Sequence, residues 1–289
     1  MNINIAEFIF GIESDIAEED LHTEKVYSTF LSSDCPEIFV RGHYEGLPDI
    51  QLTDSNLIFD SGIFWRVYSS KGNIIFSLYS SALGTNPYCI AVFKDDFRTG
   101  DVYHLSKNDE IENRIFLHPL AFPLFHLLMV SILSKGHGLL IHASGISDNG
   151  KGYLFPASST HGKTTMARLW GDQATILNDE RIILRARNNR LWIYGTPWHG
   201  ELETISPSGV PLEGIFFIEH AKENDMRRVK GSYAAAELFK HCVQPQWVPE
   251  GMSFMLDFCV ETVQTVPCFN LGFNPDKKVI DAIRAATIA

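Results

Sequence analysis

The sequence predicts an α/β (α+β) protein of two domains, a β-rich one over residues 1–115 and a second over residues 116–289 built on a strand–loop–helix core. Three observations carry that prediction. Short runs rich in β-branched and aromatic residues fill the first part. Helical periodicity appears only after it. Between the two, "SKNDEIENR" (106–114) is charged and loop-like, and the domain boundary is placed there.

In the first part, "INIAEFIF", "EIFVRG", "NLIFD", "IFWRVYS", "NIIFSLYS" and "YCIAVFK" read as strands, separated by the turn-formers "SKGN", "GTNP" and "RTGD". His43, Asp49 and Asp54 stand near turns and read as ordinary surface. A buried helix is expected from about Leu120 to Leu133. "GLLIHASGI" and "GYLF" follow as strands joined by "SDNGKG", and "GKTTMARLW" as a helix with Met166, Leu169 and Trp170 at i, i+3, i+4 and Gly171 as its stop. "TILN", "IILRA", "RLWIYG" and "GIFFIEH" are further strands. "KENDMRRVKG" reads as a charged loop, and Arg185, Arg187 and Arg190 as a solvated hairpin tip. The C-terminal part predicts the helices "YAAAELFKHC", "MSFMLDFCVETV" and "DKKVIDAIRAATI", with the strand "VPCFNLG" between the last two.

A net charge of −11 gives no global basic field, so nucleic acid is not an expected partner. The five cysteines are widely spread, with neither zinc spacing nor a disulfide framework, which suits a reducing cytoplasm. The N-terminus lacks the basic and small-residue features of a signal peptide. The most apolar run is broken by Pro119 and Pro123 and falls short of the ~20 residues that cross a bilayer, so no membrane partner is expected.

The chemistry is concentrated in "GYLFPASSTHGKTTMARLW" (152–170). Roughly one chain in seven of this length would contain Gly-Lys-Ser/Thr by chance, so its setting decides. Here a strand runs into a loop and a helix begins at the Gly-Lys step, which is the context of a phosphate-binding loop. Amides of Ser158, Ser159, Thr160, His161, Gly162, Lys163, Thr164 and Thr165 would surround the anion at a helix N-terminus. Lys163 would reach the β/γ-phosphates as a point charge, and the Thr164 hydroxyl would ligate Mg²⁺. Ala157 stands where such loops have their first glycine. Sixteen residues after Lys163, a strand ends in Asn178-Asp179-Glu180-Arg181. An acid there is placed to hold Mg²⁺ directly or through water, which makes Asp179 the second metal candidate.

These residues together, "LLIHASGISDNGKGYLFPASSTHGKTTMARLW…TILNDERIIL", resemble the catalytic domain of HPr kinase/phosphorylase and its wider group. The loop and the Asn-Asp-Glu step also resemble the ATP-binding half of phosphoenolpyruvate carboxykinase. The resemblance covers about residues 135–220. It implies a P-loop kinase core of that type, with ATP (or ADP/PPi) and Mg²⁺ as cofactors. It implies that His142, twenty-one residues before Lys163, is the active-site histidine. Asp179 and Glu180 are implied as metal ligand and base, in either order, and Arg181 as the basic residue that follows them. Glu180 departs from the second aspartate of HPr kinases and matches the carboxykinase form.

"GTPWHGELE" (195–203) offers His199 and Glu201, with Arg181, as a possible acceptor pocket; a turn closing a hairpin is the plainer reading. The expected function is phosphotransfer from ATP to a hydroxyl of a small molecule, a serine or a peptide, catalysed by His142, Lys163, Asp179 and Glu180. A non-catalytic nucleotide-binding protein is the alternative, and a carboxykinase-like enzyme a more remote one. Self-association is left open.

Overall fold

The computed structural model describes residues 1–17, 21–22, 25–105, 116–158 and 162–287. The chain is of mixed α/β type and divides into two compact units, Met1–Ile132 and Leu133–Ala289. The charged segment at which the sequence placed its boundary lies outside the described residues.

The first unit contains β1 (Asn2–Ile5), β2 (Phe8–Ser14), β3 (Leu21–His22), β4 (Ile38–His43), β5 (Leu57–Asp60), β6 (Trp65–Ser70), β7 (Asn73–Tyr79), β8 (Pro87–Lys94), β9 (Thr99–His104), β10 (Phe116–Leu117) and helix α1 (Leu124–Leu133). Eight of these strands form one sheet in the order β1-β2-β4-β9-β8-β7-β6-β5. The contacts of β4 with β2 and β9 are parallel. The others are antiparallel.

Two expectations fail here for local reasons. "INIAEFIF" is not one strand but a hairpin, in which Ala6 and Glu7 form a two-residue turn with φ of 52° and 66°. Asn4 Oδ1 accepts the Glu7 amide at 3.0 Å and holds that turn. "RTGD" is not a turn. Thr99, Gly100 and Asp101 lie in β9, and the chain reverses earlier, at Phe97 (φ 59°). Gly100 is glycine because the Phe93 ring occupies the place of a Cβ. Helix α1, expected at the head of the second domain, groups with the first unit, where the Phe125 ring meets Phe10 at 4.9 Å and Tyr27 at 5.9 Å.

The second unit contains β11 (Leu139–Asp148), β12 (Lys151–Pro156), α2 (Lys163–Trp170), β13 (Thr175–Asn178), β14 (Arg181–Arg187), β15 (Arg190–Tyr194), β16 (Gly209–His220), β17 (Asp225–Val229), α3 (Gly231–Lys240), α4 (Gly251–Thr265), β18 (Cys268–Phe273) and α5 (Lys278–Ala286). Its sheet runs β12-β11-β14-β15-β16-β18-β17, with β13 beside β11 and a second, parallel contact between β12 and β16. The stretch read as a charged loop contains β17, an antiparallel edge strand on β18. Its exposed Asp225 and Arg227 are the charges that keep an open edge from pairing with another chain.

Among the described residues, two apolar clusters hold this unit. In one, Met166 and Trp170 of α2 and Ile280 and Ile283 of α5 pack on Tyr153, Phe155 and Phe216. In the other, Leu238 of α3 and Met255 and Phe258 of α4 pack on Leu154, Leu184 and Ile215.

Strand β11 is the ruler of this unit. Its register sets Ala143 against Pro156, where β12 leaves the sheet; Gly145 against Asn178, where β13 ends; and His142 against Arg181, where β14 begins.

Candidate functional site

The loop after β12 rejoins regular structure at Gly162, whose φ of 98° only a glycine takes without strain. Helix α2 then starts at Lys163, and its first amides have no intrahelical acceptor. Ala157 is 1% exposed and its backbone does not take a left-handed φ. The position where the sequence lacks a glycine therefore does not need one. Ser159, Thr160 and His161 lie outside the described residues, so the loop amides that can be placed are those at its two ends.

Lys163 is only 6% exposed, and its Nζ donates to the carbonyls of Ala157 at 3.1 Å and Ser158 at 3.3 Å. Burial lowers its pKa, and Arg181 adds to this while Glu180 and Asp179 oppose it. The ammonium is thus a desolvated charge at the helix start, held by neutral carbonyls that an anion can outcompete.

One residue along, the Thr164 hydroxyl donates to Asp179 Oδ2 at 3.0 Å. Asp179 is 1% exposed. The Gly200 amide donates to its Oδ1 at 2.8 Å and the Leu202 amide to its Oδ2 at 3.2 Å. Gly200 permits this approach, since a Cβ there would lie 3.1 Å from both carboxylate oxygens. A carboxylate offers about four lone-pair sites. Among the described residues three donors reach it, which leaves one of these sites for a cation. Together with the Thr164 oxygen that is a hard, all-oxygen pair of the kind Mg²⁺ takes from a protein when phosphates and water complete its shell. Among the described residues, no group of three or more His, Cys, Asp or Glu side chains could hold a metal unaided.

The acid pair is aimed by Asn178, which is fully buried. Its Oδ1 accepts the amides of Glu180 at 2.7 Å and Arg181 at 2.9 Å, and its Nδ2 donates to Thr196 O at 2.8 Å. This local side-chain turn points Asp179 and Glu180 to different partners. Glu180 meets His142 Nε2 at 3.0 Å and Arg181 Nη1 at 2.7 Å. Burial raises its pKa, but the His142 hydrogen bond and the charges of Arg181, His142 and Lys163 prevail and hold it below the usual carboxylate range.

The structure thus gathers Ser158, Gly162, Lys163, Thr164, Asp179, Glu180, Arg181 and His142 in one place. Thr165 lies in the first turn of α2. His199 touches this group only through the backbone, its Nδ1 lying 3.1 Å from Gly200 O, and the Gly200 amide is what reaches Asp179. Glu201 is not brought in; its carboxylate is 74% exposed and pairs with Arg168 at 3.3 Å.

The sequence reading missed one residue. His241, at the end of α3, accepts the His142 amide on its carbonyl at 2.8 Å, while Val243 N donates to Leu140 O at 2.9 Å. Its signal was available as the one histidine of the C-terminal helical segments, but nothing in local spacing links position 241 to position 142.

A comparison with curated proteins finds no match. Among solved structures, the chain is similar to the Hpr(Ser) kinase/phosphatase from Coxiella burnetii, at 11% identity and a TM-score of 0.28, over 51% of this chain and 91% of that one. The family model described as SynChlorMet cassette protein ScmC matches residues 124–274, more than half of the sequence, and the chain belongs to that family.

Proposed function

We propose that the second unit binds a magnesium nucleotide where β12 gives way to α2, and transfers its terminal phosphoryl group to a hydroxyl of a small molecule, a serine or a peptide. One observation carries this reading: the buried ammonium of Lys163 and the hydrogen-bonded pair Thr164–Asp179 meet at the N-terminus of the same helix. Lys163 and the free amides of α2 bind and orient the polyphosphate, and Lys163 stabilises the charge that grows on the transferring group. Thr164 and Asp179 would hold Mg²⁺, which when bound neutralises charge on the phosphate oxygens. Glu180 holds His142 and Arg181 beside them, ready for the acceptor. Such transfer is mostly positioning and electrostatics, so this small set suffices.

Titration calorimetry of magnesium with ATP, ADP and GTP tests the binding half. Saturable heat is expected for at least one of these nucleotides, and its absence for all three would end the proposal. Lys163→Ala should leave the far-ultraviolet circular dichroism unchanged and lower turnover by at least ~10²-fold, about 3 kcal/mol of transition-state stabilisation. A second reading, nucleotide binding without transfer, is favoured by the three donors that already occupy Asp179. Tight nucleotide binding with no consumption of labelled ATP over a panel of hydroxyl acceptors would select it.

A further inference from the structure

The phosphotransfer reading needs a group to take the acceptor's proton, and neither acid of the pair is free to do so. Asp179 accepts three hydrogen bonds and faces Thr164. Glu180 is the counter-ion of Arg181 and is hydrogen-bonded to His142, which is thereby engaged as well.

His241 differs from these three. It stands directly opposite His142 in a short antiparallel pairing, fixed by the Ile141–Cys242 bridge and by the His142 N to His241 O bond of 2.8 Å. That bond sets residues 142 and 241 side by side, and His142 and Lys163 are near enough for their charges to act on the His241 ring. Among the described residues, no hydrogen bond to the His241 imidazole is found.

We propose that His241 is the base of this site: its imidazole, which no hydrogen bond among the described residues engages, takes the acceptor's hydroxyl proton, while Glu180 serves to hold His142 and Arg181. The acceptor oxygen forms its bond to the γ-phosphorus as the bond from that phosphorus to the β–γ bridging oxygen breaks. ADP leaves with the bridging oxygen, and His241 later returns the proton to water. The inference rests on the nucleotide reading of the same site.

The surroundings of His241 also suggest how it is gated. The charged and titratable groups facing it are His142 of β11, Lys163 of α2, and Glu237 and Lys240 of α3. Burial lowers its pKa to about 4, with His142, Lys163 and Lys240 adding to this and Glu237 opposing it. A polyphosphate on Lys163 cancels part of that positive field and brings a negative group nearby, so the imidazole becomes a stronger base when the donor is bound.

The test uses the full chain with ¹³C-labelled histidine, the His241 resonance being the one lost in His241→Gln. Saturating Mg·AMP-PNP, a non-hydrolysable ATP analogue, should raise the pKa of that resonance by at least about one unit, and Mg·ADP by less. This titration needs no turnover. In parallel, with water as acceptor, His241→Gln should lower kcat for Mg·ATP at least ~10²-fold, leave KM within about twofold, and remove the acidic limb of the pH–rate profile. A His241 resonance that Mg·AMP-PNP leaves unmoved, or a variant with wild-type kcat and the same acidic limb, overturns the assignment of His241 alone. Absence of heat with every magnesium nucleotide overturns the nucleotide reading and this one with it.

Discussion

Asn178 shows how much one amide side chain can decide. It is the residue that turns the end of β13 into two differently aimed acids, and it is buried with its oxygen and nitrogen both satisfied. Asn178→Ala leaves the amides of Glu180 and Arg181 and the carbonyl of Thr196 without this partner, which should cost roughly 2–3 kcal/mol. Urea denaturation reads that loss, and nucleotide affinity should fall with it; a variant as stable as wild type would remove Asn178 from this role. Ala157 makes the opposite case. Its buried backbone has no left-handed φ, so restoring the apparent missing glycine brings only unfolded-state entropy. Ala157→Gly should lower stability by about 0.4–1 kcal/mol without tightening nucleotide binding; tighter binding in calorimetry would show that the loop does want a glycine. At this scale Lys163, Thr164, Asp179 and Glu180 are legible in the sequence because strand, loop and helix follow one another along the chain. His241 is not, because only the pairing of a helix end with β11 brings it to His142.

At the scale of elements, turns decide what can be read. The β11–β12 hairpin turns on Asn149-Gly150 and the β14–β15 hairpin on Asn188-Asn189, residues that tolerate positive φ and announce a turn. The β1–β2 hairpin turns on Ala6-Glu7 with the same sign of φ, and neither of these two residue types announces it. The Glu7 amide donates to Asn4 Oδ1, and the burial of Ile3, Ile5, Phe8 and Phe10 on the two strands imposes the turn between them. Such a residue carries strain of about 1 kcal/mol that glycine would relieve, less what glycine loses in unfolded-state entropy. Glu7→Gly should therefore stabilise the first unit by up to about 0.5 kcal/mol. A lower thermal midpoint for that variant would mean that the Glu7 side chain itself holds the turn. The edge strand β17 was hidden for a related reason: its alternation is weak and its charges mimic a loop, though the same charges protect a sheet edge.

At the scale of the whole molecule, the two units should respond differently to acid. Among its described residues the first buries two histidines, His104 stacked on Tyr44 at 4.8 Å and His118 stacked on Tyr27 at 5.7 Å. Burial lowers the pKa of each to about 4, with the N-terminal ammonium and His104 adding to the effect on His118. The folded unit therefore holds both rings neutral, while the unfolded chain takes up protons near pH 6.5. Stability is full above that pH and falls as the pH drops, until the folded-state pKa of about 4 is passed and the loss levels off. Each depression from 6.5 to about 4 corresponds to roughly 3 kcal/mol. A loss of that size is a large part of a domain's net stability. In the second unit, burial likewise lowers the His241 pKa to about 4, but among the described residues this is one such histidine against two in the first. Hydrogen exchange followed separately over Met1–Ile132 and Leu133–Ala289 should show the first unit losing protection earlier between pH 6.5 and pH 4, after correction for the intrinsic exchange rate. His104→Phe, which keeps the stack on Tyr44 and cannot be protonated, should flatten that dependence; equal slopes in the variant and the wild type would mean that the acid sensitivity arises elsewhere.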